Sequence, residues 1–269
     1  QYVHYVAYLF AALPLAYFLF FKSMLACWQR YRYGLALPAW VLVFFWLTVV
    51  ITSLDISASI WLKLSGILFP ATHDLFFYKL ELAFQNWAIV AATYHLEGPP
   101  WLAELTKLIY ATLSALFIPL LAWLYRGNKV GSLNAWWMLL GPFFAGWLCY
   151  AWLPASGPIY LFYGQFPGGV TPLAEVVPGL SAIVTVPRNA MPSMHLSGAI
   201  LVLMMVAALR RKWLIVPAIL FVLGTAWATL ALGEHYVIDL VVALPFAPAL
   251  GLFLMNPPRW RMAARWQHG

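Results

Sequence analysis

Charge is what this sequence has least of. Only 9% of its 269 residues are Asp, Glu, Lys or Arg, while 64% are hydrophobic; a soluble domain carries roughly 25% charged residues. So few charges cannot cover a surface bathed in water on all sides, and lipid is expected around most of the chain. Cysteine is scarce too. Cys27 and Cys149 fall near opposite membrane faces in the topology below, so no disulfide is expected and the redox compartment cannot be read. There is no internal repeat and no low-complexity tract. The first apolar window, residues 2–21, lacks a basic leading region and a small-residue cleavage pattern, and reads as a span and not a signal peptide.

What is present are long apolar windows, each near the ~20 residues that cross a hydrocarbon core as a helix. Spans are expected at about 2–21, 35–53, 105–125, 135–153, 192–209, 213–232 and 235–255. Helices are required because lipid offers no partner to backbone N–H and C=O groups. The ends of these spans sort the charges. Eleven bases, from Lys22 and Arg30 through Arg210, Arg211 and Lys212 to Arg265, fall on one side without an acid; all eight acids and only Lys63, Lys79, Lys107 and Arg188 fall on the other. The first side is cytoplasmic by the positive-inside rule. Trp136, Trp137 and Trp213 sit at cytoplasmic span ends, and Trp147 and Trp152 near the outer ends, as interfacial belts do. The net charge of +7 therefore reads as orientation and anionic-lipid contact, with no nucleic-acid partner.

The fold class expected is an all-α polytopic bundle of about seven spans, with outer interfacial helices and an outer re-entrant-like loop. Three regions follow: 1–104, N-terminal spans plus an outer amphipathic segment; 105–255, the catalytic bundle; 256–269, a cytoplasmic basic tail. Within the first, Asp74 to His95 is amphipathic enough to lie along the interface as a helix, although a transmembrane hairpin there would also preserve the parity. Residues 154–190, rich in Pro and Gly, cannot be helical throughout and are expected to fold over the outer mouth.

Ionisable groups inside membrane helices are costly and need a reason. His195 lies in Met-Pro-Ser-Met-His (191–195) at the start of one span; His235 and Asp239 lie in Gly-Glu-His-Tyr-Val-Ile-Asp (233–239) at the start of the last. One span runs in and the next runs back, so both histidines arrive at the outer face. His235 and Asp239, at i and i+4, share a helix face. A carboxylate there can take the N–H of one ring nitrogen and free the other as a nucleophile. Pro192 suits a first helical position, and the N–H groups after it form a site for phosphate at the positive end of the helix dipole. His195, in that first turn, can protonate a leaving oxygen.

Pro-Ser-x-His followed by His-x-x-x-Asp resembles the type 2 phosphatidic acid phosphatase superfamily, over roughly residues 105–255. The resemblance implies the same roles: His235 forms a phosphohistidine, Asp239 orients it, His195 protonates the leaving group, and neither cofactor nor metal is needed. The chain departs from the phosphatase branch in two places. Ala228 and Thr229 stand where Ser-Arg precedes the nucleophile, and the lysine-to-Arg-Pro motif has no match. Pro-Ala-Ser-Gly-Pro (154–158), Tyr160 and His235-Tyr236 resemble instead the inositol phosphorylceramide synthase-like branch, which moves phosphorylated head groups between lipids. The missing arginine leaves phosphate charge to be met by Arg188, whose planar fork suits phosphate oxygens; Lys79 and Lys107 are weaker options.

Plainer readings stand beside these. Ser193 is also a natural N-cap, Tyr160 and Tyr236 are natural interfacial aromatics, Arg188 can snorkel, and His4, His73 and His95 read as polar tips facing water. Glu234 is a helix-start acid. Arg188, Ser193 and Tyr160 are carried forward as candidate phosphate contacts. The expected partners are a membrane, a lipid phosphate or phospholipid and, for transfer, a hydroxyl acceptor. Two other classes stay open: a metal-dependent hydrolase with His195, His235 and Asp239 or Glu234 as zinc ligands, though no His-Glu-x-x-His pattern occurs, and a transporter using the cluster as an ion site.

Overall fold

A computed structural model describes residues 48, 62, 64–68, 71–126, 132–162, 166–168 and 186–255. Every regular element among them is a helix: α1 Asp74–Ala83, α2 Trp87–Glu97, α3 Pro100–Arg126, α4 Ser132–Trp152, α5 Pro158–Leu161, α6 Met194–Ala208, α7 Lys212–Ala231 and α8 Val237–Met255. Three segments, Pro100–Leu121, Lys212–Ala231 and Val237–Met255, are long and apolar enough to cross a membrane, and Met194–Ala208 is a shorter apolar helix. The spans expected at 2–21 and 35–53, the basic tail and residues 169–185 of the outer loop lie outside the described residues, apart from Thr48.

The centre of the bundle is α6, which packs against α3, α7 and α8. Its sequence is apolar on every side, the pattern of a helix surrounded by others, and Leu196 through Val202 are all buried. Small residues let its neighbours close in. A Cβ on Gly198 would meet Leu113 of α3 at 2.8 Å, and one on Gly251 of α8 would meet Met204 at 2.5 Å; such close approach is how membrane helices associate without a hydrophobic drive. The outward faces carry exposed Leu108, Leu148, Val216, Leu220, Leu244 and Phe253, an apolar surface suited to lipid. Trp137 and Trp213 are exposed as well.

The segment from Asp74 to His95 differs from the single interfacial helix expected. It is two helices, broken where Gln85 and Asn86 take left-handed backbone (φ 58° and 56°). Each buries a stripe at i, i+3, i+4, i+7: Asp74, Phe77, Tyr78 and Glu81 in α1, Ala88, Ala91, Ala92 and His95 in α2. The first stripe packs on α8 and α5, the second on α7. Two acids thus face inward, where an amphipathic reading turns them to water. His95, expected as a tip facing water, is buried for the same reason, and loss of hydration lowers its pKa, with the Lys107 charge acting the same way.

Candidate active site

α6 and α8 start at the same end of the bundle because α7 returns between them. Ser193, not Pro192, bounds α6. Its backbone is extended and its Oγ accepts the Leu196 N–H at 3.3 Å, so Pro192 stands outside the helix instead of at its first position. The Ser193 N–H donates to the Asp239 carbonyl at 3.2 Å, which ties the two helix starts together. At the far end of α7 the chain reverses through Gly233, whose φ of 70° is strained for any L side chain. That turn delivers His235 one residue before Tyr236 and two before α8. The rings of His195 and His235 come within 6.3 Å of each other, centroid to centroid, at 63°. His195 also lies flat on Tyr110 of α3, 3.8 Å away and inclined by 19°, so its plane is set by a third helix.

The i, i+4 spacing does bring Asp239 to His235, but a closer contact to the ring comes from the main chain. Nδ1 lies 2.8 Å from the Ala190 carbonyl and 3.4 Å from Asp239 Oδ2. A carbonyl oxygen only accepts, so Nδ1 carries the proton and Nε2 keeps its lone pair. Asp239 Oδ2 accepts a shorter bond, 2.8 Å, from the Tyr236 N–H. Asp239 thus holds the backbone beside the histidine; among the described residues its Oδ1 has no hydrogen-bond partner.

The candidate phosphate contacts are dispersed. Arg188 is fully buried, with Nη1 donating to Ser156 Oγ and to the Val186 carbonyl, both at 2.9 Å. Desolvation lowers its pKa, against the opposing pull of Asp74. Ser193 caps α6, as above. Tyr160 donates its hydroxyl to Glu234 Oε1 at 3.3 Å, and burial pushes Glu234 up to about 7. Lys107 pairs with Glu104 at 3.0 Å, and Lys79 is exposed. Thr229, where the phosphatase branch has arginine, turns its hydroxyl to the Ala226 carbonyl of its own helix.

Three contributors carry no motif. Tyr110 and the Ala190 carbonyl are two. The third is the acid pair of α1. Asp74 Oδ1 accepts the Ser156 and Gly157 N–H groups at 2.9 and 3.0 Å and the Tyr236 hydroxyl at 3.0 Å. Glu81 accepts the N–H of Ala88 at 2.9 Å and of Val237 at 2.8 Å; burial raises its pKa while those two donors work to lower it. A signal did exist: two acids seven residues apart on one helix face, within an apolar segment.

Beside His195 a cavity of about 220 Å³ opens between α3, α4 and α6, lined by Leu113, Phe117, Phe143, Trp147, Tyr150 and Asn189 among others. Among the described residues no three His, Cys, Asp or Glu side chains converge as metal ligands would. The arrangement offers a ring nitrogen with its lone pair, a second imidazole close by and an apolar recess alongside. A family model described as the PAP2 superfamily matches residues 78–253. No curated protein and no solved structure gives a significant match.

Proposed function

This chain belongs to the PAP2 superfamily, whose members are phosphatases and phosphotransferases, and from that premise we propose that it transfers or hydrolyses the phosphoryl group of a membrane lipid through a phosphohistidine at His235. The observation that carries this reading is the pair of imidazoles 6.3 Å apart with the proton of His235 held on Nδ1 by Ala190. Rings at that separation can flank one phosphoryl group, with Nε2 of His235 approaching phosphorus to a near-attack distance of about 3–3.5 Å and His195 within hydrogen-bond reach of the leaving oxygen. Nε2 of His235 attacks phosphorus in line, and the P–O bond to the leaving group breaks. His195 gives the departing oxygen its proton. Water or a hydroxyl then takes the phosphoryl group from His235, with His195 as base. Asp239 and the Ala190 carbonyl stabilise the imidazolium that forms when His235 is phosphorylated. Arg188 supplies positive charge from the segment that also carries Ala190, and Ser193 holds the α6 N-terminus toward the phosphate.

Between water and a hydroxyl as acceptor, the buried run Pro154–Pro158 favours transfer of a phosphorylated head group. It packs against the nucleophile's segment and limits water there, and water competes with any hydroxyl acceptor. The charge distribution of the spans supports a site at the non-cytosolic face.

Acid-labile phosphate trapping on the purified full chain with lipid phosphates tests the reading. Label is expected on the wild type and none on His235→Ala; equal label on both would remove the nucleophile. Adding a hydroxyl acceptor separates transfer from hydrolysis, and activity that persists in chelator sets aside the zinc alternative.

A further inference from the structure

The bond that sets the tautomer of His235 belongs to a closed circuit of contacts. His235 Nδ1 donates to the Ala190 carbonyl; the Ala190 N–H donates to the Ala155 carbonyl at 2.9 Å; Ser156, next in the chain, donates its N–H to Asp74; and Asp74 takes the hydroxyl of Tyr236, the residue after His235. One carboxylate therefore grips both sides of the His235–Ala190 bond, from a helix that lies 162 residues away in sequence from Tyr236. Two turns further along the same face, Glu81 fixes the next residue. Its Oε2 accepts the N–H of Val237, the first residue of α8, and so caps that helix in trans. Both acids are buried to 2% exposure or less. A carboxylate held that deep costs stability unless its donors are well placed, and here the donors include both residues that follow His235.

We propose that Asp74 and Glu81 are positioning residues for the nucleophile: Asp74, through Tyr236 and the Ser156 segment, keeps the His235 ring aligned on the Ala190 carbonyl, and Glu81 locks the same segment at Val237. Neither acid touches a reacting atom. The proposal rests on the reading of His235 as nucleophile for its catalytic meaning, but the alignment itself is measurable without substrate.

The test uses the full chain in detergent micelles, labelled with ¹⁵N-histidine, with the His235 signals assigned by their loss in His235→Ala. Tyr236→Phe removes a single hydroxyl and leaves Asp74 its two backbone donors. Glu81→Gln puts an amide N–H₂ against one of two N–H groups, and Asp74→Asn provides a third perturbation. The wild type is expected to show one tautomer, with the proton on Nδ1. Tyr236→Phe and Glu81→Gln are expected to populate the Nε2–H form. With dioleoyl phosphatidic acid as probe, their kcat is expected to fall roughly tenfold at a KM within about twofold of wild type, as for loss of one charge-assisted hydrogen bond. An unchanged tautomer in all three variants, with only a lowered melting temperature, makes the acids structural and overturns the proposal. A shifted tautomer in a chain that takes no label from any lipid phosphate keeps the positioning and sinks the phosphohistidine reading instead.

Discussion

Replacing Gly157 by alanine should disable the site without touching a side chain in it. Gly157 stands at φ 95°, and a Cβ there would lie 2.3 Å from the Glu234 carbonyl oxygen and 2.8 Å from its carbon. Ordinary contact begins near 3.4 Å, so the two strands of chain must separate by about 1 Å, and both sides of the clash are backbone that cannot rotate away. Left-handed strain adds about 1–3 kcal/mol. Glu234 immediately precedes His235, while the Gly157 N–H is held by Asp74, so the displacement falls on the segment that carries His235. A shift of that size at a reacting group costs on the order of 10²-fold in rate. The measurement is the rate of phosphohistidine formation, with melting temperature recorded in parallel. Gly168→Ala is the control, because among the described residues nothing lies within 4 Å of a Cβ at that position. If Gly157→Ala labels at the wild-type rate and melts at the wild-type temperature, the 154–158 run does not brace His235 and the geometry of the site has been misjudged.

Asp239→Asn keeps an acceptor for the Tyr236 N–H but removes the carboxyl 3.4 Å from Nδ1 that would balance the imidazolium; labelling should slow by roughly 10–100-fold, the worth of a hydrogen bond to a charged group, and a rate within twofold of wild type would deny Asp239 a part. His195→Ala should slow labelling from an alkyl phosphate far more than from a nitrophenyl phosphate, whose leaving group needs no proton; equal slowing with both would argue against proton donation. Glu234 binds its proton more tightly folded, at about 7, than at its ordinary 4.5. Its contribution to stability is therefore complete below about 4.5 and is lost as pH rises through about 7. Glu234→Gln should melt like the wild type at pH 4.5 and above it at pH 8, and a gap independent of pH would contradict this assignment.

The long apolar helices were legible because their cause is local: α3, α7 and α8 are runs that lipid alone explains, and their spacing brings positions 195 and 235 to one end. What the sequence hides is the other half of each long-range bond. The His235–Asp239 spacing is visible as a pattern, yet the shorter contact to Nδ1 comes from a main-chain oxygen 45 residues away, and every residue owns such an oxygen. The inward places of Asp74 and Glu81 are hidden for the same reason. Their partners are backbone N–H groups at 156, 157 and 237, so polarity pointed them to water while the fold turned them inward. The Pro192 reading failed at closer range, since the hydroxyl next to it, on Ser193, captures the Leu196 N–H and starts the helix.

The Ala190 carbonyl has a consequence for how this protein would look to a geneticist. An acceptor built into the main chain survives every codon change at its position, so a scan of substitutions at 190 would register crowding in a fully buried spot, or the loss of the N–H with proline, and never the loss of the acceptor itself. Exposing that contribution takes chemistry on the peptide unit itself, such as an ester in place of the amide between residues 190 and 191, which weakens the oxygen as an acceptor and leaves every side chain as it was.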